Sequence, residues 1–333
     1  MGKIIKNWYF NYLIYVFINN EMNLIIEAKK GNYNELKKLI NLKAEINYQG
    51  ESHVTALIHA SSNGHNKCVQ ILLKKNADAN METHYNITAL FLASQNGHVK
   101  CIKQLLEAKA KVDYSAYTYT TPLMTASQNG HIDCVKQLLE AKAHINLSNS
   151  SGITPLIFAS ENGHYECMMQ LLEANADIDS QNIYEETALI NAVGNNHINC
   201  IEKLLEKKAS IDHQTKNEDT ALILATFSND INILEKIIEA KAQVNLQTKN
   251  GFTALMWASQ NGHIKYVKKL LEANADINFR NKYGRTAIDI SGNMEIEILL
   301  KRKYMVEQMI RVVPLPVAGG HVVLFEWIAE YCL

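Results

Sequence analysis

The chain repeats itself at a fixed interval. Thr55-Ala56-Leu57, Thr88-Ala89-Leu90, Thr121-Pro122-Leu123, Thr154-Pro155-Leu156, Thr187-Ala188-Leu189, Thr220-Ala221-Leu222, Thr253-Ala254-Leu255 and the looser Thr286-Ala287-Ile288 each start 33 residues after the one before. One unit of that length cannot bury its apolar face alone, so a period of this kind restricts the chain to a stack of like units. The expected fold class is all-α, with short hairpin loops between helix–turn–helix units stacked into a solenoid of about nine repeats.

Local chemistry within a repeat supports that architecture. Thr is a good helix N-cap, because its hydroxyl oxygen accepts a backbone N–H that has no partner in the first turn. Pro122 and Pro155 fall at the first helical position, where a missing N–H costs nothing. Leu at the third position and Ala five after each Thr (Ala60, Ala93, Ala126, Ala159, Ala192, Ala225, Ala258) are expected to face inward. Gly64, Gly97, Gly130, Gly163 and Gly262 stop this first helix in a left-handed turn, and Asn196 can do the same. A second helix follows, with apolar residues such as Val135, Leu138 and Leu139 at helical spacing. Gly152, Gly251 and Gly284 lie two before their Thr, as a tight hairpin tip wants. Where His53, Tyr119, Glu185 and Glu218 stand there instead, the tips are expected to depart from the common turn.

These residues resemble the ankyrin repeat family, whose pattern runs Thr-Pro-Leu-His, Ala-Ala, Gly-His, Val-x-x-Leu-Leu and Gly-Ala-Asp-Val-Asn. Here the His after Leu is replaced by Ile58, Phe91, Met124, Ile157, Ile190, Ile223 and Met256. The Gly before Ala-Asp is replaced by Asn76, Lys109, Lys142, Asn175, Lys208, Lys241 and Asn274, which should weaken C-capping. The resemblance covers residue 22 to about 303. It implies a protein-binding scaffold or adaptor that contacts its partner through hairpin tips and the concave face of the inner helices. Asn80 and Asn278 are also similar to asparagine hydroxylation sites of other ankyrin proteins.

The domain reading follows the register. Residues 22–54 form an N-cap repeat, in which Leu24, Gly31, Leu39-Ile40, Ala44 and Asn47 keep step and lysines enrich the surface. Residues 55–285 hold seven full repeats. Residues 286–303 form a shortened C-cap repeat, and 304–333 a tail. Residues 1–21 are apolar and aromatic but shorter than the ~20 residues of a membrane span. They are read as a cover on the first repeat or as a mis-assigned start with Met22 as the first residue, and an exported effector is the rival reading. Met305–Val313 is expected to be helical. Leu315-Pro316 is faintly similar to the box-like tails some ankyrin proteins use to reach ubiquitin ligases, which makes an enzyme-recruiting regulatory subunit the other rival.

Composition limits the partner. With Lys+Arg 33 against Asp+Glu 34, the net charge is −1, so bulk charge makes no case for nucleic acid or an anionic membrane. The partner is expected to be protein, and the chain itself a monomer. Six cysteines are too few for a secreted disulfide scaffold of 333 residues, which fits a cytoplasmic, reducing location.

His-x-x-Cys recurs five times, at His65/Cys68, His98/Cys101, His131/Cys134, His164/Cys167 and His197/Cys200. The spacing puts both side chains on one helical face, and both suit zinc. However, the same columns continue as Asp230/Ile233 and His263/Tyr266, so they are read as packing columns and no cofactor or metal is expected. No phosphate loop, nucleophile elbow or His-Glu-x-x-His is present, so no catalysis is expected. The residues that vary on this regular frame are the candidate partner contacts. They are His59, Phe158 and Trp257, four after their Thr, and the tip aromatics Tyr85, Tyr117 and Tyr119. Tyr114 and His84 crowd the same tips.

Overall fold

The computed structural model describes residues 19–312, so the expectations for 1–18 and 313–333 lie outside the described residues. The described residues gather into two compact units, one ending at Ile183 and the other starting at Tyr184. No helix among them is long and apolar enough to cross a membrane.

The first unit opens with α1 (residues 19–30) and α2 (Tyr33–Asn41), separated by Gly31 at φ 74°. Four helix pairs follow: α3 (Ala56–Ser62) with α4 (Asn66–Lys74), α5 (Ala89–Gln95) with α6 (Val99–Glu107), α7 (Pro122–Gln128) with α8 (Ile132–Glu140), and α9 (Pro155–Glu161) with α10 (Tyr165–Glu173). The inner helices α3, α5, α7 and α9 pack in series, as do the outer helices α4, α6, α8 and α10. The second unit repeats the plan with α11 (Ala188–Gly194), α12 (Ile198–Glu206), α13 (Ala221–Ala225), α14 (Ile231–Glu239), α15 (Ala254–Gln260), α16 (Ile264–Glu272), α17 (Ala287–Ile290) and α18 (Met294–Val312). Its last helix runs without a break past residue 303, so the expected start of the tail falls inside α18.

Each inner helix is capped as its Thr requires. The Thr55 hydroxyl accepts the Ile58 N–H at 3.2 Å, and Thr88, Thr121, Thr154, Thr187, Thr220 and Thr253 repeat that bond. Such a cap contributes about 1 kcal/mol. Leu57, Leu90, Leu123 and Leu156 are buried, and Ala60, Ala93, Ala126 and Ala159 have no exposed surface, so a larger side chain at those alanines would force the helices apart.

Polar rungs lock consecutive repeats in register. Asn47 accepts the Asp78 N–H at 2.9 Å, Asn80 that of Lys111 at 2.8 Å, and Asp113 that of His144 at 3.0 Å. In the second unit Asp212 and Asn245 serve Gln243 and Asp276 in the same way. A backbone rung joins neighbouring hairpin tips: Tyr117 N–H donates to Tyr85 C=O at 3.0 Å, and Ser150 N–H to Thr118 C=O at 3.0 Å. A third rung uses the turn histidines. Nε2 of His65, His98, His131 and His164 lies 3.0–3.1 Å from the carbonyls of Lys29, Ser62, Gln95 and Gln128. A carbonyl can only accept, so each Nε2 carries the proton.

The same rings explain the turn glycines. A Cβ built on Gly97, at φ 75°, would stand 2.8 Å from the His131 ring, and one on Gly64 would stand 2.6 Å from the His98 ring. Glycine is therefore required twice, for the left-handed backbone and for the ring that covers it.

Two expectations about turns are corrected. Tyr119, Glu185 and Glu218 do not make different tips: they take φ 60–62°, as Gly152 takes 75°, whereas the His53 tip does depart, with Ser52 also left-handed at φ 56° inside a short 3-10 turn, Glu51–His53. Tyr119 N–H still reaches Ala116 C=O at 2.8 Å, and Ala116 N–H still closes on Thr120 C=O at 3.0 Å. The closing bonds outweigh a left-handed penalty of roughly 1–2 kcal/mol per residue. The lysines and asparagines that replace the family glycine also keep the full C-cap. Lys142, at φ 63°, donates to Leu139 C=O at 2.9 Å, and Ala143 to Leu138 C=O at 3.0 Å. Among the described residues, the hairpins carry one isolated bridge, Glu82 to Thr88, and no strand.

The cysteine column lies in the core. Cys68, Cys101, Cys134, Cys167 and Cys200 are at most 1% exposed and unpaired as disulfides. Burial pushes the Cys101, Cys167 and Cys200 thiols up to about 11 and Cys134 to about 12.

Four outcomes follow from these contacts. Gly97→Ala should lower unfolding stability by on the order of 2 kcal/mol in urea melts, whereas Lys142→Gly should raise it by about 0.5 kcal/mol, the relief of left-handed strain exceeding the entropy of an added glycine. The thiols should resist alkylation at pH 8 until the chain unfolds. Because their folded pKa values lie above the ordinary thiol value of 9.0, their contribution to stability should be complete below pH 9 and disappear as pH rises toward 11–12. Denaturant midpoints measured from pH 7 to 11 would show the decline on the alkaline side.

Candidate protein-binding surface

The surface that varies on the rigid frame has two parts, the inner-helix stripe and the hairpin tips. The residues four after each Thr lie one helical turn in. His59 is half-buried, and its imidazole is held below its usual pKa by burial and, secondarily, by Lys29, so it is neutral at physiological pH. Leu92, Asn191, Leu224 and Trp257 are half-buried. Phe158 is only 6% exposed, which leaves almost no ring surface for a partner and places it with the core.

Trp257 is held by its own neighbours. Its ring stacks on Phe252 at 4.6 Å and 29°, and meets Phe227 at 5.0 Å and 59°. Its indole nitrogen is buried without a hydrogen-bond partner. Contacts of this geometry are worth about 0.5–1.5 kcal/mol beyond area burial, so Trp257 is both a packing residue and part of an aromatic surface.

Most asparagines eight after the Thr are committed to the frame. Asn63, Asn129, Asn162 and Asn195 each turn the side-chain amide back to the carbonyl four residues earlier, at 2.8–3.0 Å. They finish the inner helix, where carbonyls lack partners. This role is local and was legible from the column of identical residues.

At the tips, Tyr85, Tyr117 and Tyr119 are 65%, 76% and 65% exposed. The Tyr117 N–H to Tyr85 C=O rung fixes the two hairpins side by side while both rings stay in solvent. Tyr117 and Tyr119 border an open cavity of about 470 Å³ with Asn86, Ala116 and Ser150. Tyr114 is different: its hydroxyl donates to the Glu82 carboxylate and Lys111 Nζ lies 5.7 Å from its ring centre, so it ties repeats together. The His84 ring meets that of His53 at 3.8 Å and a tilt of 35°.

Sequence reasoning missed Phe227, which is 48% exposed. It stands seven after Thr220, in a column otherwise held by Ser62, Gln95, Gln128, Glu161, Gly194 and Gln260. Its repeat lacks both the turn Gly and the His. There α13 ends early at Ala225, and Asp230 caps α14 by accepting the Asn232 N–H at 3.0 Å. Phe227, Leu224, Val193 and Gly194 line a cavity of about 210 Å³. The missing consensus residues were the signal.

Among the described residues, no three His, Cys, Asp or Glu side chains gather where they could hold a metal. In the first four His-x-x-Cys pairs the His nitrogen is committed to a carbonyl, and every Cys of the five is buried.

Comparison with known proteins agrees with this geometry. The family model described as ankyrin repeats (3 copies) matches residues 24–116, 111–182, 174–248 and 222–304. Among solved structures, the crystal structure of the human ASB11 ankyrin repeat domain is similar, with a TM-score of 0.55 and 26% identity over 79% of this chain and 100% of that one. No curated protein matches. Ankyrin repeats generally mediate protein–protein interaction, and with a matched model covering most of its length this chain belongs to the ankyrin repeat family.

Proposed function

We propose that this chain is a protein-binding scaffold or adaptor that recognises its partner through hairpin tips and the exposed part of the inner-helix stripe, with no reaction of its own. The observation that carries the reading is the set of three tyrosines at Tyr85, Tyr117 and Tyr119. Each is at least 65% exposed, on hairpins whose backbone is fixed by rungs to their neighbours. Exposed tyrosines on a rigid support offer large contact area at low entropic cost, as interface anchors do. His59 adds an inner-helix position in the same unit, and Trp257 is a candidate contact on an inner helix of the second unit. Phe158 is withdrawn from it by its burial. Five buried, unpaired thiols fit a reducing compartment.

The test uses the full chain and a partner obtained by affinity capture. Tyr117→Ala should weaken that complex on the order of tenfold and leave stability within about 0.5 kcal/mol. Tyr119→Gly separates binding from folding more sharply. It relieves a left-handed residue while deleting the ring, so the melting temperature should rise as affinity falls. A lower melting temperature in both variants, with unchanged affinity per folded molecule, would mean that the tyrosines only hold the tips together.

A further inference from the structure

The chain uses arginine sparingly, and its placement is uneven. Only Arg280, Arg285, Arg302 and Arg311 occur in 333 residues, and two of them bracket one hairpin tip. That tip, Arg280 to Arg285, also carries Lys282 and Tyr283, and Tyr283 is 72% exposed. The preceding tip carries Lys249 at the position equivalent to Lys282. The rung from Lys282 N–H to Asn250 C=O, at 3.0 Å, holds the two tips side by side.

Arg280 occupies a structural column. Gln214 donates to its own tip carbonyl at Glu218 and forward to Gln247 C=O, and Gln247 donates to Gly251 C=O and forward to Arg280 C=O. Arg280 makes the first of these bonds, to Gly284 C=O at 2.6 Å, and no forward one among the described residues. Its guanidinium is thus held in place by one bond, with further donors unused among the described residues.

The cations of this patch form no ion pair among the described residues, whereas four lysines on the outer helices of the second unit do. Lys236, Lys268, Lys269 and Lys301 all sit within salt-bridge distance of glutamates. Lys249, Arg280, Lys282 and Arg285 are exposed and form no ion pair among the described residues. Asp289 feels Arg280 and Arg285, but its carboxylate is occupied by the N–H and hydroxyl of Thr286, where it completes a capping box. The patch ends at the tip before, where Glu218 and Asp219 follow Lys216.

We infer that the tips bearing Lys249 and Arg280–Arg285 dock an extended acidic segment of a protein partner. The inference rests on the tips being a partner-binding surface and adds the chemistry of what binds there. Guanidinium groups match carboxylates in bidentate geometry, and Tyr283 offers an aromatic face beside them. Consecutive repeats place equivalent tip residues roughly 10 Å apart, and an extended chain in the polyproline II conformation, with three residues per turn and a rise of about 3.1 Å per residue, returns to the same face every ~9 Å. Carboxylates three residues apart would meet successive tips.

The experiment is fluorescence anisotropy of the full chain with a labelled Gly/Ser peptide carrying Glu at every third position. Controls are the same peptide with Gln for Glu, a single-stranded oligonucleotide, and phosphatidylserine vesicles. The Glu peptide should bind, and it should weaken as salt is raised and on the order of tenfold in Arg280→Gln/Arg285→Gln. Gln is the residue of the preceding rungs at position 280, so the fold is preserved. Lys249→Gln/Lys282→Gln should show the same loss by an independent route. Equal binding of the Gln peptide, or unchanged affinity in both double variants, would overturn the inference. Tighter binding of the oligonucleotide or the vesicles than of the Glu peptide would do so as well. If Tyr117→Ala weakens the captured complex while these variants leave peptide binding unchanged, the general reading stands and the acidic-segment inference fails.

Discussion

Everything in this fold depends on consecutive repeats keeping register, and a few polar contacts set that register. The apolar faces of the helices supply most of the stability, because burial is non-directional and proportional to area. That same lack of direction means Leu and Ala alone would permit neighbours to slide. The Asn or Asp rung, the tip-to-tip backbone rung and the His-to-carbonyl rung each connect a fixed position in one repeat to a fixed position in the next. Each is worth only about 0.5–1.5 kcal/mol net, yet any slip breaks all three at once. The Gly–His interlock tightens the constraint further, since the ring of one repeat fills the space where the preceding glycine has no Cβ.

That constraint divides the residues into those committed to the frame and those free to recognise. Thr caps, turn histidines, buried cysteines and the asparagines that finish α3, α7, α9 and α11 are committed. Freedom remains at the tips and at a few positions on the inner helices. The two units use it differently. Exposed tyrosines mark the tips of the first, and cations without an ion pair among the described residues, with one tyrosine, mark the last tips of the second. Phe227 appears where the second unit drops its Gly and His, so loss of a frame residue coincides with gain of exposed aromatic surface.

Most of the frame was legible in the sequence because its causes are local. A Thr before an apolar run caps a helix whatever surrounds it, and a glycine after one ends it. The misreadings arose where tertiary contacts overrode local preference. Tyr119 and Glu218 looked unsuited to a left-handed tip, but the bonds that close the hairpin decide its shape. Phe158 and Trp257 share a column, and only the packing around each separates a buried ring from a half-buried one. The role of Arg280 was hidden for another reason: it keeps the 33-residue register of Gln214 and Gln247, but the two-way hydrogen bonds that give that column its meaning exist only in three dimensions. The expected end of the last repeat at 303 has no physical mark, since α18 continues through it.

The central claim is that recognition lies on tips and inner helices while the outer helices serve the frame. Amide hydrogen exchange on the full chain, with and without a captured protein partner, tests it most directly. The account predicts added protection in the hairpin segments around Tyr85, Tyr117 and Tyr283 and in the inner helices, with the outer helices α6, α8 and α16 unchanged. Protection confined to those outer helices, with the tips exchanging as in the free chain, would contradict it.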